Sequence, residues 1–211
     1  MDVSASYRPI GACALLAPVP AVLVSCRGPR PEDRPNALTV AWCGTVNSHP
    51  PMVSISVRPE RYSRRLIEES GEFVINLPGA EQCEQLDYCG VRSGADEDKL
   101  AACGLRVRPA QGLLCAPALE GFPASLSCQV RQQIPLGSHI LFLAEVVAVS
   151  VREDLFDPDG SMHLERARLV SYTHGLYQQA GAPLGFFGYS VAREDVRERR
   201  MRPLREGTAG S

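Results

Sequence analysis

The sequence predicts a mainly β fold, namely a small closed or split β-barrel with a few helices on one side. Strand-length runs of alternating or apolar residues recur along the chain, and 18 glycines and 17 prolines supply turns between them. With 211 residues, of which 45% are hydrophobic, the chain can form one core of ordinary size. We expect one domain over residues 1–190 and a charged tail over residues 191–211 that is mobile or lies on a neighbouring molecule.

The first predicted strands form a hairpin. Ala21–Cys26 is apolar and indicates a buried strand, the polar turn Arg27–Pro35 follows, and Leu38–Cys43 is apolar again. Asn47–Pro51 breaks the pattern, because two adjacent prolines cannot donate hydrogen bonds to a β-ladder. Met52–Val57 then alternates apolar residues with serines, as a half-buried strand does.

The middle of the chain mixes helices with strands. Tyr62–Ser70 has a helical pattern that ends at Gly71, and Glu72–Leu77 indicates the next strand. Two short helices are expected at Glu81–Tyr88 and Ala95–Cys103.

The second half of the sheet contains the longest predicted strands. Ser125–Gln133 and Ile140–Val151 read as a hairpin that closes a sheet or barrel. Leu169–Thr173 is expected to be a short final strand.

Charge and motif content exclude several classes of function. The formal net charge of −2 gives no nucleic-acid signature, and no apolar run reaches the length of a membrane span. The sequence contains no G-x-x-x-x-G-K-[ST] phosphate loop, no G-x-G-x-x-G fingerprint and no G-x-S-x-G elbow. We therefore expect neither a nucleic-acid nor a membrane partner.

The eight cysteines indicate neither a disulfide framework nor a metal site. They are scattered, none forms a C-x-x-C pair, and no Cys/His cluster has ligand spacing. The sequence predicts buried thiols at positions that lie in or beside apolar runs: Cys13, Cys26, Cys43, Cys115 and Cys128.

The N-terminal region has two interpretations. Leu23–Cys26 resembles a lipoprotein cleavage box, which would imply export. However, Pro18 and Pro20 interrupt the apolar run, and cleavage would remove a strand that the fold needs. A core strand and a cytoplasmic location are the preferred interpretation.

The most specific pattern lies at Asn36–Ser63 and continues beyond it. Its motifs are Pro35-Asn-Ala-Leu-Thr39, Ala41-Trp42, Gly44-Thr-Val-Asn-Ser-His-Pro-Pro51, Ser54-Ile-Ser-Val-Arg-Pro59, Arg61-Tyr-Ser63, Glu69-Ser-Gly-Glu-Phe-Val-Ile-Asn-Leu-Pro78, Asp87-Tyr-Cys-Gly90, Ser93-Gly94, Asp98-Lys99 and Leu136-Gly-Ser-His-Ile-Leu-Phe142. This joint pattern resembles the flavin reductase-like family, the flavoredoxin-type FMN-binding split barrels. His49 and Cys43 depart from the residues usual in the family at those positions.

The resemblance implies an FMN-binding split β-barrel that binds its cofactor at the interface of a homodimer. It implies that the loop Cys89–Gly94 and Lys99 reach the site, from the same or the second subunit. The implied cofactor-binding residues are Asn36, Thr39, Ala41, Trp42, Thr45, Val46, Asn47, Ser48, Ser56, Arg58, Arg61, Tyr62, Ser63, Cys89, Ser93 and Lys99.

The residues themselves also fit a flavin nucleotide. A phosphate needs hydroxyls, amides and cations, for which the candidates are Thr39, Ser56, Arg58, Arg61, Ser63 and Lys99. Residues 44–48 are expected to form a small, polar corner between two strands, and their small side chains would let backbone amides approach the polar edge of a flavin ring. Taken singly, these candidates are better explained as ordinary strand positions, solvated surface charges or, for Trp42, a barrel-packing side chain; taken together within the matched pattern, they favour a cofactor site.

The expected function is an FMN-dependent oxidoreductase, with NAD(P)H as electron donor and free flavin or a protein as acceptor. In related reductases a histidine in a Gly-x-His turn lies near the nicotinamide, which makes His139 the catalytic candidate; the alternative is a turn-capping role. A non-enzymatic flavoredoxin-type electron carrier remains open, and a thiol-based redox sensor is disfavoured by the absence of C-x-x-C.

Overall fold

A computed structural model describes residues 6–206 of the chain. Its strands are β1 (Val19–Pro20), β2 (Val22–Cys26), β3 (Asn36–Val40), β4 (Cys43–Ser48), β5 (Pro51–Val57), β6 (Glu72–Leu77), β7 (Val107–Arg108), β8 (Ala118–Leu119), β9 (Ala124–Pro135), β10 (Ile140–Val151), β11 (Val170–Thr173) and β12 (Leu176–Gln179). The α-helices are α1 (Tyr62–Ser70), α2 (Cys83–Val91), α3 (Lys99–Ala102) and α4 (Glu194–Glu206). Helix α4 occupies most of the predicted charged tail, and residues 207–211 of that tail lie outside the described range.

One antiparallel sheet of seven strands, in the order β3-β2-β6-β9-β10-β5-β4, forms the body of the fold. The sheet curls, because the chain between β3 and β4 returns to β5, where the Ser56 amide donates to the Trp42 carbonyl at 2.9 Å. The interior of the curl is filled by apolar side chains from six strands and α1, including fully buried Phe73 and Phe142. The predicted split β-barrel is therefore confirmed.

A second apolar cluster lies on the outer face of β2 and β3. Ala21, Leu23 and Ala37 meet Leu86 of α2 and Leu100 of α3 there. The small sheet β1-β11-β12 borders this cluster. These outer elements wall the surface of the barrel where the candidate site lies.

Most predicted elements are confirmed. The hairpin β2–β3, the alternating strand β5, helix α1 with its left-handed C-cap at Gly71 and the hairpin β9–β10 all form. Gly71 has φ of 68°, a value that glycine adopts without steric cost.

Four predictions were wrong in detail. The second strand ends at Val40, and residues 43–48 form β4 where a polar corner was expected. Because β4 is an edge strand exposed on both faces, it has no apolar alternation to reveal it. The predicted helix at 95–103 shrinks to α3, and β12 follows the strand expected to be last. Cys13 is exposed, in an arm outside the core.

The polar turn between β2 and β3 is held by an ion pair. The Asp33 carboxylate lies 2.8 Å from the Arg65 guanidinium of α1 and accepts the Arg30 amide at 3.1 Å. The Arg65 hydrogen bond lowers the pKa of Asp33. A lowered folded-state pKa contributes stability above the unfolded pKa of about 3.9, and this stability is lost as pH falls through the folded value.

Asp33→Asn should therefore flatten the acid limb of the stability curve. We expect the free energy of unfolding, measured by urea titration from about pH 6 to about pH 3, to fall less steeply in the variant than in the unmodified protein. Glu32→Gln, on the same turn but exposed, is the matched control. Equal slopes for Asp33→Asn and the unmodified protein would contradict the assignment.

Candidate functional site

The first cavity of the site lies on the outer surface of the barrel, between β3, β5 and α2. Its volume is about 350 Å³, within the range of small-molecule sites. Helix α2 and the small sheet β1-β11-β12 provide its outer walls. The lining residues are Ala21, Leu38, Thr39, Val40, Ala41, Trp42, Ser56, Val57, Arg58, Arg61, Asp87, Gly90, Val91, His139, Tyr172 and Tyr177.

The second cavity adjoins the first and has a volume of about 270 Å³. Leu38 and Arg61 line both cavities, so an elongated ligand could occupy the two together. The other residues that line the second cavity are Asn36, Glu60, Tyr62, Ser63, Arg92, Ser93, Gly94 and Lys99.

The sequence-predicted site residues divide between the two cavities. Those that line the first are Thr39, Ala41, Trp42, Ser56, Arg58, Arg61 and His139. Those that line the second are Asn36, Arg61, Tyr62, Ser63, Ser93 and Lys99. The six phosphate candidates are thus split, with only Arg61 common to both cavities.

Five predicted residues line neither cavity. Thr45, Val46, Asn47 and Ser48 lie along the exposed edge strand β4. The Cys89 side chain is buried between α2 and the barrel, and only its backbone carbonyl faces a site residue.

Helix α2 is fitted closely to β3 where the first cavity has its floor. The Thr39 hydroxyl donates to the carbonyl of Leu86 in α2. A Cβ atom on Gly90 would lie 3.1 Å from the Thr39 Cβ, so glycine allows the helix to approach the strand. The Thr39 hydroxyl therefore has a structural role, since it helps to hold α2, the outer wall of the cavity, against β3.

The second cavity lies at the N-terminal end of α1. Arg61, Tyr62 and Ser63 begin this nine-residue helix, whose first turn contains no acidic residue. Helix amides and the helix dipole favour an anion at this end. Glu60 also lines the cavity, but its side chain is 66% exposed and pairs with Arg58 at 3.7 Å.

The buried amide of Asn36 organises the wall of the second cavity. Its Nδ2 donates to the Ser63 hydroxyl at 2.7 Å, and Asn36 and Ser63 are both buried. Gly94 lies against this pair, since a Cβ there would come 2.6 Å from the Asn36 Cγ. The close approach of the loop at residue 94 therefore requires glycine.

Gly94→Ala should push the loop away from Asn36 and open this wall. We expect the free energy of unfolding to fall by about 1–3 kcal/mol, the usual cost of overpacking. Gly44→Ala is the control, because a Cβ at Gly44 meets no atom within 4 Å. Urea unfolding of both variants measures the difference, and equal stabilities would show that the loop does not contact Asn36.

Lys99 is the most unusual charge in the described part of the chain. It is 3% exposed, and its ammonium donates one hydrogen bond, to the Cys89 carbonyl at 3.0 Å. An ammonium has three donors, and no salt bridge to Lys99 occurs among residues 6–206. Burial lowers the pKa of Lys99, with an additional contribution from the positive charge of Arg61.

The thiols around Lys99 do not supply the missing negative charge. Burial raises the pKa of Cys26 to about 12 and that of Cys89 to about 12, and it also raises the pKa of Cys103. All three remain protonated at neutral pH. Lys99 is therefore a buried cation that faces a cavity and lacks an anionic partner in the described structure.

His139 lies at the tip of the β9–β10 hairpin and lines the first cavity. Its Nδ1 is 3.0 Å from the Ser138 hydroxyl, so the imidazole is oriented by its neighbour. A metal role has no support, since no group of three His, Cys, Asp or Glu side chains between residues 6 and 206 could hold an ion.

Sequence reasoning missed part of the outer wall. Asp87, Tyr172 and Tyr177 line the first cavity, and the Tyr177 hydroxyl donates to the Asp87 carboxylate at 3.1 Å. Arg92 lines the second cavity within the loop that was expected to reach the site. The two tyrosines come from short C-terminal strands, and no sequence signal connects those strands to the first cavity.

Residues 15–181 match the model of the flavin reductase like domain. Among solved structures, flavoredoxin of Desulfovibrio vulgaris (Miyazaki F) superimposes with a TM-score of 0.81 at 30% identity, covering 89% of this chain and 100% of the other. An FMN-binding domain of a flavin reductases-like enzyme from Shewanella baltica gives 0.67 at 28% identity, covering 79% and 88%.

The curated relatives include an uncharacterised protein of Archaeoglobus fulgidus, 29% identical over 56% of this chain and 66% of its own length. The matched region thus spans slightly less than two thirds of that relative. The family-model match and the flavoredoxin similarity establish that the chain belongs to the flavin reductase-like family. No helix within residues 6–206 has both the length and the hydropathy needed to cross a membrane.

Proposed function

We propose that the two adjoining cavities bind FMN, with the phosphate in the second cavity and the ring in the first. The observation that carries this proposal is Lys99, a buried ammonium with one hydrogen bond that faces a cavity at a helix N-terminus. A phosphate there would receive charged hydrogen bonds from Lys99 and Arg61 and helix amides from α1.

The first cavity suits the ring because apolar side chains and hydrogen-bonding groups both line it. Leu38, Val40 and Val57 provide apolar surface, and Ser56 and Arg58 provide donors. When bound, FMN supplies a carrier that accepts a hydride and releases electrons singly or in pairs. The protein contributes position, exclusion of water and electrostatics.

We propose a homodimer on the basis of β4. Among residues 6–206 this strand pairs only with β5, Val46 on it is 50% exposed, and its residues 45–48 line neither of the two cavities. Contact between β4 and a second copy would bring the family-implied residues 45–48 towards a cofactor. A cytoplasmic location and the identity of the acceptor, free flavin or a protein, stay predictions from the sequence.

We propose NAD(P)H as the electron donor, with His139 beside the nicotinamide. Its place in the first cavity and the ordering contact with Ser138 support this role. The second candidate is an electron carrier of the flavoredoxin type, which a partner protein reduces. Similarity to a flavoredoxin favours this candidate as much as the family name favours a reductase.

The purified protein, saturated with FMN, should show a flavin absorption band that moves with the protein through gel filtration. We expect anaerobic mixing with NADH or NADPH in a stopped-flow instrument to bleach that band directly. Bleaching only after addition of a separate reductase would support the carrier instead. Failure to retain FMN at all would refute both candidates.

A further inference from the structure

A third cavity, of about 250 Å³, lies beside the first. It is lined by Ala14, Leu16, Trp42, Tyr172 and His174. Trp42 and Tyr172 also line the first cavity, so a ligand in the third would share these two side chains with a ligand in the first. Of the residues expected to bind the flavin, only Trp42 lines the third cavity.

The lining of the third cavity has the chemistry of a site for a flat, uncharged ring. It contains an indole, a phenol, an imidazole and two aliphatic side chains, and it contains no Asp, Glu, Lys or Arg. A phosphate or dinucleotide would find no charged partner among these groups. Aromatic side chains favour stacking with a conjugated ring, and His174 offers a hydrogen bond at its edge.

The aromatic groups are held in place by the small outer sheet. Tyr172 pairs across the ladder with Val19, and its ring lies 5.7 Å from that of Tyr177 at an angle of 58°. His174 has φ of 43° and Gly175 has φ of 87°, which builds the two-residue turn between β11 and β12. The site is therefore formed before any ligand binds.

Two side chains of this cavity, Leu16 and Trp42, expose apolar surface. Leu16 is 83% exposed and Trp42 is 38% exposed, although both line a concave surface. A ring that fills the cavity would bury this apolar surface, and the burial would favour binding through the hydrophobic effect.

We propose that the third cavity binds a neutral, flat, conjugated ring compound of the quinone class, as the electron acceptor of the flavin. This inference rests on the proposed function for the redox step, though not for the binding. Reduction of a quinone to its hydroquinone consumes two electrons and two protons, the same number that a fully reduced flavin releases on reoxidation. The shared Trp42 and Tyr172 would place the two rings close together.

Trp42 is the single tryptophan of the chain and lines the first and third cavities, so its fluorescence reports on both, and variants of residues that line only the third tell them apart. Duroquinone is a suitable probe, because each of its four non-carbonyl ring carbons carries a methyl group, which hinders the addition of thiols. We expect titration of the purified protein to give saturable quenching, after inner-filter correction against free tryptophan. Leu16→Ala and His174→Ala should each raise the apparent Kd about fivefold. Leu176→Ala, exposed on the same hairpin and outside the third cavity, should leave it unchanged.

Quenching that rises linearly, or equal apparent Kd values for the Leu16, His174 and Leu176 variants, would overturn the proposal. Displacement of duroquinone by NADH with equal affinity in all variants would also overturn it, because the cavity would then belong to a dinucleotide. If the protein retains FMN but the quenching rises linearly, the ring site is refuted and the proposed FMN function is unaffected. If the protein retains no FMN but the quenching is saturable and sensitive to the variants, the proposed function is refuted and the ring site is supported.

Discussion

Lys99→Met should weaken FMN binding about 30-fold, equivalent to about 2 kcal/mol for the loss of charged hydrogen bonds to a phosphate. Methionine keeps most of the length of the side chain and removes its charge. Removal of Lys99 relieves the desolvation of a buried charge that has no anionic partner within residues 6–206, and it costs one hydrogen bond to the Cys89 carbonyl, so the free energy of unfolding should stay about the same or rise. Isothermal titration with FMN and urea unfolding without it measure the two effects.

Arg92→Met is the matched control for Lys99. Arg92 lines the same cavity, but its side chain is 61% exposed and pairs with Glu97 at 3.6 Å. Screening by solvent should limit its effect on FMN affinity to about threefold. Equal FMN affinities for Lys99→Met and the unmodified protein would show that the phosphate does not bind in the second cavity.

The same Lys99 variant tests the pH dependence of binding. Burial lowers the pKa of Lys99 in the ligand-free protein, whereas an anion beside it would favour the charged form. FMN affinity should therefore decline as pH rises through this lowered pKa, and the decline should disappear in Lys99→Met. A decline that persists in the variant would assign it to another group.

Phe142→Ala should lower the free energy of unfolding by about 3–5 kcal/mol. Phe142 is fully buried at the centre of the barrel, where β10 pairs with β5 opposite Ile55. Truncation removes a large apolar side chain and leaves a cavity that β-ladders on both sides of β10 prevent from collapsing. Such a loss is a large fraction of the total stability of an ordinary domain.

Val149→Ala is the control for Phe142, since it lies on the same strand with 55% exposure. Its effect should stay within about 0.5 kcal/mol, as for most surface positions. Urea titrations of the two variants provide the comparison. A loss below about 1 kcal/mol for Phe142→Ala would mean that the interior of the barrel is not closely packed.

Elements with a clear apolar period were predictable from the sequence, and elements without one were not. Val53, Ile55 and Val57 alternate with polar residues and identified β5, whereas β4 is exposed on both faces and looked like a corner. Edge strands lack the buried face on which such predictions depend.

The sequence predicted some of the residues that line the two cavities, but not how they divide between the cavities. The family pattern identified Lys99, Arg61 and Ser63, but nothing in their spacing showed that Arg58 faces a different cavity. The outer wall comes from Tyr172 and Tyr177, which lie more than a hundred residues from β3 in the chain. Long-range packing of this kind has no local sequence signal.

The protonated thiols beside Lys99 can report how often the protein opens locally. Cys26 and Cys89 are fully buried, and thiol reagents attack only the exposed thiolate. Modification of Cys89 must therefore wait for a transient opening that loosens α2 from the barrel, and modification of Cys26 for one that opens the barrel interior beside α1. The rate at which a small alkylating reagent labels these two positions would measure the frequency of such openings, and no engineered label is needed.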